Sequence, residues 1–246
     1  MCSSEAVENL PAGLYLVSTP IGNLQDITLR ALEVLKQADL IACEDTRHTK
    51  RLLDHFEIKT RLESFHDHSA SSKVKRLVDL IEQGSRVAYV SDAGTPVVAD
   101  PGFPLVREAI RRGLRVEALP GAFAAVTALA ASGLHAESFS FFGFLPPKPG
   151  ARKNRLKELA SREETLIFYE SPYRLKDSLA AMSEVLGERE AVVARELTKK
   201  FEEFLRGRLS DLAEKFNQNL PRGEFVILVA GCGRKLLFDN VVKKGP

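Results

Sequence analysis

The sequence predicts an α/β protein of two domains, the first built on a parallel five-stranded sheet and the second on a mixed sheet. Three observations carry this. Between Leu14 and Leu119 short apolar runs alternate regularly with amphipathic stretches, which means a parallel sheet with right-handed crossovers. Past Pro120 the pattern changes, and strand-like runs follow one another without a helix between them, as in a mixed sheet. Between these regions, Arg86–Val90 ends abruptly in Ser91-Asp-Ala-Gly-Thr-Pro96. Small polar residues at such a strand end leave backbone N–H groups open, and ligands in open parallel sheets sit just beyond the carboxyl ends of strands.

Taken in order, Leu14 to Thr19 reads as a buried strand turned sharply by Pro20, Ile21, Gly22 and Asn23. Asp26 is expected to cap a helix from Ile27 to Ala38, with Ile27, Leu32 and Leu35 inward. Leu40 to Cys43 is a second strand ending in Glu44 and Asp45, followed by a basic helix from Thr46 to Phe56. Leu62 to Phe65 is a third strand, ending at His66, Asp67 and His68, before a helix from Ser71 to Gln83. Arg86 to Val90 is the fourth, and Gly102 leads into a helix that closes at Gly113. Arg115 to Leu119 is the fifth. Pro120 and Gly121 look like a hinge opening a small apolar helix up to Ser132. Strands are then expected at 138–145, 165–169, 191–194 and 224–230, with a further run at 203–209 that could bend as a hairpin at Gly207. Helices fall at 152–160, 172–186 and after a Ser210 cap. The expected division is therefore 12–120 and 121–232, with tails at 1–11 and 233–246.

Of the 246 residues, 44% are hydrophobic and 28% charged, the balance of a globular protein with a real core. A net charge of +2 neither demands nor excludes a nucleic acid partner, so local clustering has to decide. Cys2, Cys43 and Cys232 are far apart and odd in number, which fits a reducing, cytoplasmic setting rather than a disulfide framework. No apolar run reaches membrane-spanning length, and the first eleven residues lack the apolar core of a signal peptide.

The strand ends gather Pro20, Glu44, Asp45, His66 and Ser91–Thr95 at one sheet edge. Glu44 and Asp45 read either as chemistry or as helix capping. His66-Asp-His68 is too local to suggest a metal site without another ligand, so no metal is expected. Basic residues cluster at Arg47, His48, Lys50 and Arg51, at Lys148, Arg152, Lys153, Arg155 and Lys157, and at Lys199 and Lys200. Each cluster alone reads as a solvated face, and three in a near-neutral chain favour a phosphate-backbone partner. Phe168 reads as core, whereas Tyr173 and Arg174, after a proline, are less easily explained by packing.

Ser18-Thr-Pro-Ile-Gly-Asn23, Glu44-Asp-Thr-Arg-His48, Phe65-His-Asp-His68, Val90-Ser-Asp-Ala-Gly-Thr-Pro96, Leu119-Pro-Gly-Ala122, Gly143-Phe-Leu-Pro146, Phe168-Tyr-Glu-Ser171 and Ala194-Arg-Glu-Leu-Thr198 occur in that order. Together they resemble the bacterial small-subunit ribosomal RNA 2′-O-ribose methyltransferases, which have the tetrapyrrole methylase fold. The resemblance spans roughly Gly13 to Gly231. It implies S-adenosylmethionine as cofactor, held in a cleft between two domains, and methylation of a cytidine at the decoding centre by a homodimer acting on ribosomal RNA or the 30S particle. Carried over, Pro20, Ser91, Asp92, Thr95, Phe123, Ala124, Tyr169 and Leu197 hold the cofactor. In porphyrin-methylating relatives an acidic base falls where Glu44 stands, so Glu44, Asp45 and His66 are the candidates for the chemistry. Arg47, Lys50, Arg51, Lys148, Arg152, Lys153, Arg155, Arg195 and Lys199 are the candidates for RNA, and Arg47 is expected to pair with Glu44 across a helical turn. The chain departs from the ribosomal members at Gly233–Pro246, a short basic tail where they continue with a small helical segment. The competing readings are a corrin, porphyrin or modified-histidine methylase, against which the basic clusters and the Asp-Ala-Gly-Thr-Pro loop argue, and a non-catalytic RNA-binding assembly factor, against which the intact polar strand ends argue.

Overall fold

The computed structural model describes residues 10–66, 70–216 and 222–234. Asp67 and His68 therefore lie outside the described residues, as does most of the C-terminal tail. The chain divides into two compact units, 1–123 and 124–246.

In the first unit β1 (Gly13–Val17), β2 (Leu40–Cys43), β3 (Leu62–Ser64), β4 (Arg86–Val90) and β5 (Val116–Leu119) form one sheet in the order β3-β2-β4-β1-β5. Every pairing is parallel, and the strands are joined by α1 (Leu29–Gln37), α2 (Thr46–His55), α3 (Ala70–Glu82) and α4 (Phe103–Arg111). The helices cover both faces, so the central strands are apolar on both sides. On one face Ala31, Val34, Leu35 and Leu53 pack on Tyr15, Val17, Ile41 and Ala88. On the other, Leu77, Val78, Ile81, Leu105 and Ala109 pack on Leu14, Ala42, Val87 and Tyr89. The expected cap at Asp26 is not what starts the first helix. Asn23 and Leu24–Asp26 make a short 3₁₀ turn, and Thr28 caps α1 by accepting from the Ala31 amide at 3.1 Å.

In the second unit α5 (Ala124–Ser132), β6 (Phe139–Phe144), α6 (Pro149–Leu159), β7 (Thr165–Glu170), α7 (Leu175–Leu186), β8 (Glu190–Arg195), β9 (Glu203–Arg208), α8 (Leu209–Lys215) and β10 (Phe225–Val229) build a mixed sheet in the order β6-β7-β10-β8-β9. β6 and β7 are parallel and the remaining neighbours antiparallel. Gly207 does not bend a hairpin. It sits inside β9 opposite Ala191, and the hairpin is the β8–β9 connection instead. Ser210 is not the helix cap either, because its hydroxyl donates to Glu188 at 2.7 Å and Arg208 holds the N-cap position.

One polar cluster is buried in this unit. Glu170, at the end of β7 and 3% exposed, pairs with Arg174 at 2.7 Å and accepts from the Ser178 hydroxyl at 2.6 Å and the Ser171 amide at 2.8 Å. Arg174 also donates to the Leu145 carbonyl at 3.1 Å, tying the exits of β6 and β7 together. Removing one member of a buried pair leaves the other charge uncompensated. Glu170→Ala is therefore expected to lower unfolding free energy by about 3 kcal/mol in urea titrations, with Glu170→Gln costing distinctly less.

Candidate active site

The site residues of the first unit are set by a staple between the two central strands. Just beyond β1 and β4, Thr19 and Gly94 exchange backbone hydrogen bonds in both directions, each 3.0 Å long. The Thr19 hydroxyl donates to the Ser91 carbonyl at 3.1 Å, and the Ser91 hydroxyl donates to the Gly94 carbonyl at 3.0 Å. Ser18 donates to the Leu119 carbonyl at 3.2 Å, and Thr95 to the Ala122 carbonyl at 3.0 Å. Three loops, after β1, β4 and β5, are thus bound into one surface. Gly94 has φ +85°, which strains any other residue, and a Cβ there would stand tight against Ile21 at 3.3 Å. Gly121 is needed for another reason: a Cβ would come within 2.5 Å of the Ser18 Cβ.

The remainder of the β4–α4 loop carries backbone strain. Val97 and Ala99 have φ of 73° and 62°, a left-handed region that costs a non-glycine residue about 1–3 kcal/mol. Asp100 holds them there, accepting from the Val97 amide at 2.7 Å, the Gly102 amide at 2.7 Å and the Tyr89 hydroxyl at 3.0 Å. Nothing in the sequence singled out Asp100, and Ser18 and Thr19 stood out only as part of a motif, because their role is to shape the loop and not to present a group. Asp100→Ala strips three donors of their acceptor and is expected to cost about 2 kcal/mol. Hydrogen exchange of the 94–102 amides should quicken with it.

Of the catalytic candidates, Glu44 is half-buried at the end of β2, and His66 is exposed at the end of β3. Asp45 is the N-cap of α2 and accepts from the Arg47 amide at 2.8 Å. Its own amide donates to Asp92 at 3.0 Å, which joins the ends of β2 and β4. The expected Glu44–Arg47 pair is replaced by Asp45–Arg47, with the guanidinium forked on the carboxylate at 2.8 and 3.1 Å. Cap geometry explains the exchange, since Asp45 already faces the first turn while Arg47 folds back over it. Arg47 holds the Asp45 carboxyl far below the usual carboxylate range, so Asp45 stays ionised and is a poor proton acceptor at neutral pH.

Thr19, Pro20, Leu24, His48, Thr49, Arg51, Leu52, Ser91 and Asp92 line a cavity of about 220 Å³. It is walled by the strand-end loops on one side and by α2 on the other. The Thr49 hydroxyl is buried beside it, next to the Cys43 thiol. Burial pushes the Cys43 thiol up, which removes it as a nucleophile.

In the second unit Tyr169 is half-buried, and burial pushes its phenol up to about 12, so it remains protonated. Leu197 is buried between two left-handed residues, Glu196 (φ 49°) and Thr198 (φ 64°). Phe123 ends the first unit and Ala124 opens the second. Among the RNA candidates, Arg152 is not on the surface. It is 4% exposed, inside α6, and its guanidinium donates to the Pro147 carbonyl at 3.0 Å and toward Ser178 at 3.4 Å. Arg152 falls on the inward stripe with Leu156 and Leu159, so the basic run at 152–157 marks a helix with one cation turned into the core. Lys153 pairs with Glu184, Arg155 with Glu158, and Lys199 with Glu196 and Glu224. Arg195 reaches the Arg222 carbonyl and Glu203, and Lys50 lies 3.4 Å from Asp54. Lys148 and Arg51 are exposed. No cluster of metal-ligating side chains occurs among the described residues, and none of their helices is long and apolar enough to cross a membrane.

A parallel α/β unit with small polar strand-end loops, followed by a mixed-sheet unit, is the architecture of the tetrapyrrole methylases. The family model for tetrapyrrole (corrin/porphyrin) methylases matches residues 13–213. Solved structures agree at the level of fold: uroporphyrin-III C-methyltransferase from Thermus thermophilus has a TM-score of 0.62 at 24% identity, covering 89% of this chain and 94% of that one. The methyltransferase CobJ has a TM-score of 0.68 at 19% identity, covering 92% and 97%. Sequence similarity is far higher to ribosomal RNA small subunit methyltransferase I of Halalkalibacterium halodurans, 52% identical over 93% of this chain and 79% of that protein. The protein of the same description from Vibrio cholerae is 51% identical over 99% and 86%. The chain thus belongs to the tetrapyrrole methylase family and, within it, to the branch of the ribosomal RNA small subunit methyltransferases I.

Proposed function

We propose that this protein transfers the methyl group of S-adenosylmethionine to the ribose 2′-hydroxyl of a cytidine in small-subunit ribosomal RNA, at the decoding centre. The observation that carries this reading is the half-identity, across nine-tenths of the chain, to proteins described as ribosomal RNA small subunit methyltransferase I. The setting is the cytoplasm, the substrate the RNA or the 30S particle, and the acting form a homodimer.

The donor set suits such a cofactor. The loops at 18–23, 91–102 and 119–124 contain no Lys, Arg or His. With the hydroxyls of Ser18, Ser91 and Thr95 spent on loop carbonyls, they offer backbone carbonyls and the carboxylate of Asp92. An acceptor-rich loop surface fits a sulfonium, ribose hydroxyls and an exocyclic amine, while His48 and Arg51 stand on the α2 side of the cavity. When bound, S-adenosylmethionine supplies an activated methyl group. Pro20, Ser91, Asp92, Thr95 and Phe123 are assigned to it in the first unit, and Ala124, Tyr169 and Leu197 in the second. Ser91 and Thr95 contribute mainly by holding the loops in shape, since their hydroxyls are engaged internally.

The chain's part in the transfer is alignment of the attacking oxygen and acceptance of its proton or of its developing charge. Glu44 is assigned the proton and His66 stands next to it in the order of test, while Asp45 orients α2. His48 and Arg51 on the cavity wall suit a phosphate next to the target nucleotide. The readings as a corrin, porphyrin or modified-histidine methylase rest on likeness of fold at 24% identity or less, against 52% for the ribosomal RNA methyltransferase, and no observation favours the assembly-factor reading.

The loop assignment is tested by Ala93→Leu, which adds bulk at an exposed position without touching the staple. Calorimetry with chelator present should show cofactor affinity reduced at least tenfold and an unchanged melting temperature; intact affinity would remove the loop from the site. Glu44→Gln keeps shape and removes the base, so its single-turnover rate should fall at least a hundredfold with cofactor and RNA affinity preserved. Asp45→Ala should instead cost about 1 kcal/mol of stability with little loss of rate per folded molecule. For the RNA, Arg51→Ala should flatten the salt dependence of affinity by about one unit of slope, whereas Arg152→Ala should lower stability and leave the slope alone.

A further inference from the structure

At the edge of the second sheet where β6, β7 and β8 end, the chemistry above uses only Tyr169 and Leu197. β6 runs parallel to β7, and β8 and β7 both run antiparallel to β10, so all three strands finish at one edge. Three large aromatic side chains stand in solvent there: Phe144 is 55% exposed, Tyr173 78% and Phe201 65%. Single exposed apolar residues need no explanation, but these three are gathered on one edge, and two of them lie beside a cation. The Arg174 guanidinium lies 5.8 Å from the Phe144 ring centre and the Lys200 ammonium 5.7 Å from that of Phe201. Tyr173 immediately precedes Arg174.

The exposure of Phe144 is built into the backbone. Pairing of β6 with β7 runs from Phe141–Ile167 to Phe144–Tyr169, so β6 carries one extra residue, and Gly143 takes φ +62° within it. Such a bulge re-aims a side chain. Phe142, before it, stacks on the core residue Phe168 at 5.4 Å, while Phe144, after it, is turned outward and braced against Tyr169 at 5.8 Å. Arg174 fixes the following carbonyl, that of Leu145, and is itself fixed by Glu170. Lys199 on the same edge is consumed by two carboxylates. Lys148, Lys200 and Arg222 make no ion pair among the described residues.

We infer that this edge is a stacking ledge for single-stranded RNA, on which Phe144, Tyr173 and Phe201 receive unpaired bases and the three unpaired cations meet the intervening phosphates. Aromatic faces interleaved with cations are what such a strand requires. A second copy of this chain would bring its own cations against these and is the weaker match. The inference rests on the RNA-substrate reading, and it adds Phe144, Tyr173, Phe201 and Arg222 to Lys148 and Lys200 of the basic clusters that the sequence displayed.

Equilibrium binding of the full chain to a fluorescent single-stranded RNA oligonucleotide tests it, with the same backbone carrying abasic positions as control. Tyr173→Ala and Phe201→Ala are each expected to weaken binding about tenfold with the salt slope unchanged. Lys200→Ala should instead flatten the slope. Tyr173→Trp, which keeps a stacking surface, should bind as the wild type does, and the abasic strand should bind the wild type no better than the intact strand binds the Tyr173→Ala/Phe201→Ala double variant. Unchanged affinity in the alanine variants, weakened binding by Tyr173→Trp, an abasic strand bound as tightly as the intact one, or a loss confined to self-association in sedimentation would each overturn the ledge. A wild-type protein that binds the oligonucleotide in this manner and leaves ribosomal RNA unmethylated would defeat the functional reading and leave the ledge standing.

Discussion

The two-way bridge between Thr19 and Gly94 is the constraint on which the first unit's site depends. Its 3.0 Å bonds join loops that leave adjacent central strands, and Thr19, Ser91, Ser18 and Thr95 spend their hydroxyls securing the same junction. One such bond contributes about 1 kcal/mol net, but a buried donor stripped of its acceptor costs about 1–3 kcal/mol. The loops are therefore held as a set. This arrangement also decides what the surface can offer a ligand. With the hydroxyls turned inward, the outward chemistry is that of carbonyl oxygens, the Ala93 methyl and Asp92, which is why an uncharged or cationic cofactor suits it.

Both units use a carboxylate to fix strained backbone at a strand's C-terminal end. In the first, Asp100 holds Val97 and Ala99 at positive φ through two amides and a tyrosine hydroxyl. In the second, Glu196 itself has φ 49°, and its side chain accepts from the Glu224 amide at 3.0 Å and from Lys199 at 2.9 Å. Glu202 accepts from the Thr198 amide at 2.6 Å. Strain of this kind persists only where several bonds over-determine it. Its effect is to present Leu197, and the turn before Asp100, in one conformation without waiting for a ligand to impose it.

What the sequence made legible was whatever depends on periodicity or on local rules. Leu40–Cys43 and Phe225–Val229 are buried throughout, Arg86–Val90 is buried from Val87 on, and all three read directly as core strands. The parallel and mixed sheets followed from the spacing of helices between strands, and the strand-end clustering of Glu44, Asp45 and the 91–95 loop followed from the parallel sheet. Choices between near neighbours were not legible. Asp26 and Thr28 are both good caps, and the 3₁₀ turn after Asn23 decided for Thr28. Arg47 had Asp45 and Glu44 within reach, and the side chain already committed to the helix end won. Arg152 is one of several cations in a short basic stretch, and only the register of α6 against the core shows that it points inward.

That register changes how RNA recognition is distributed over this protein. Clusters of Lys and Arg in a sequence count charges without their partners. Here Lys153, Arg155 and Lys199 face carboxylates at 2.7–2.9 Å. An RNA phosphate would have to displace those carboxylates, and the exchange of one anion for another returns little free energy at an exposed site. The cations that can gain most from a phosphate are those without an ion-pair partner, and on the second unit one of these, Lys200, stands over the exposed ring of Phe201. Stacking does not weaken with salt as phosphate contacts do. A protein with a net charge of only +2 that must hold a polyanion gains more from a surface combining the two than from further basic residues, which its own acidic side chains would neutralise.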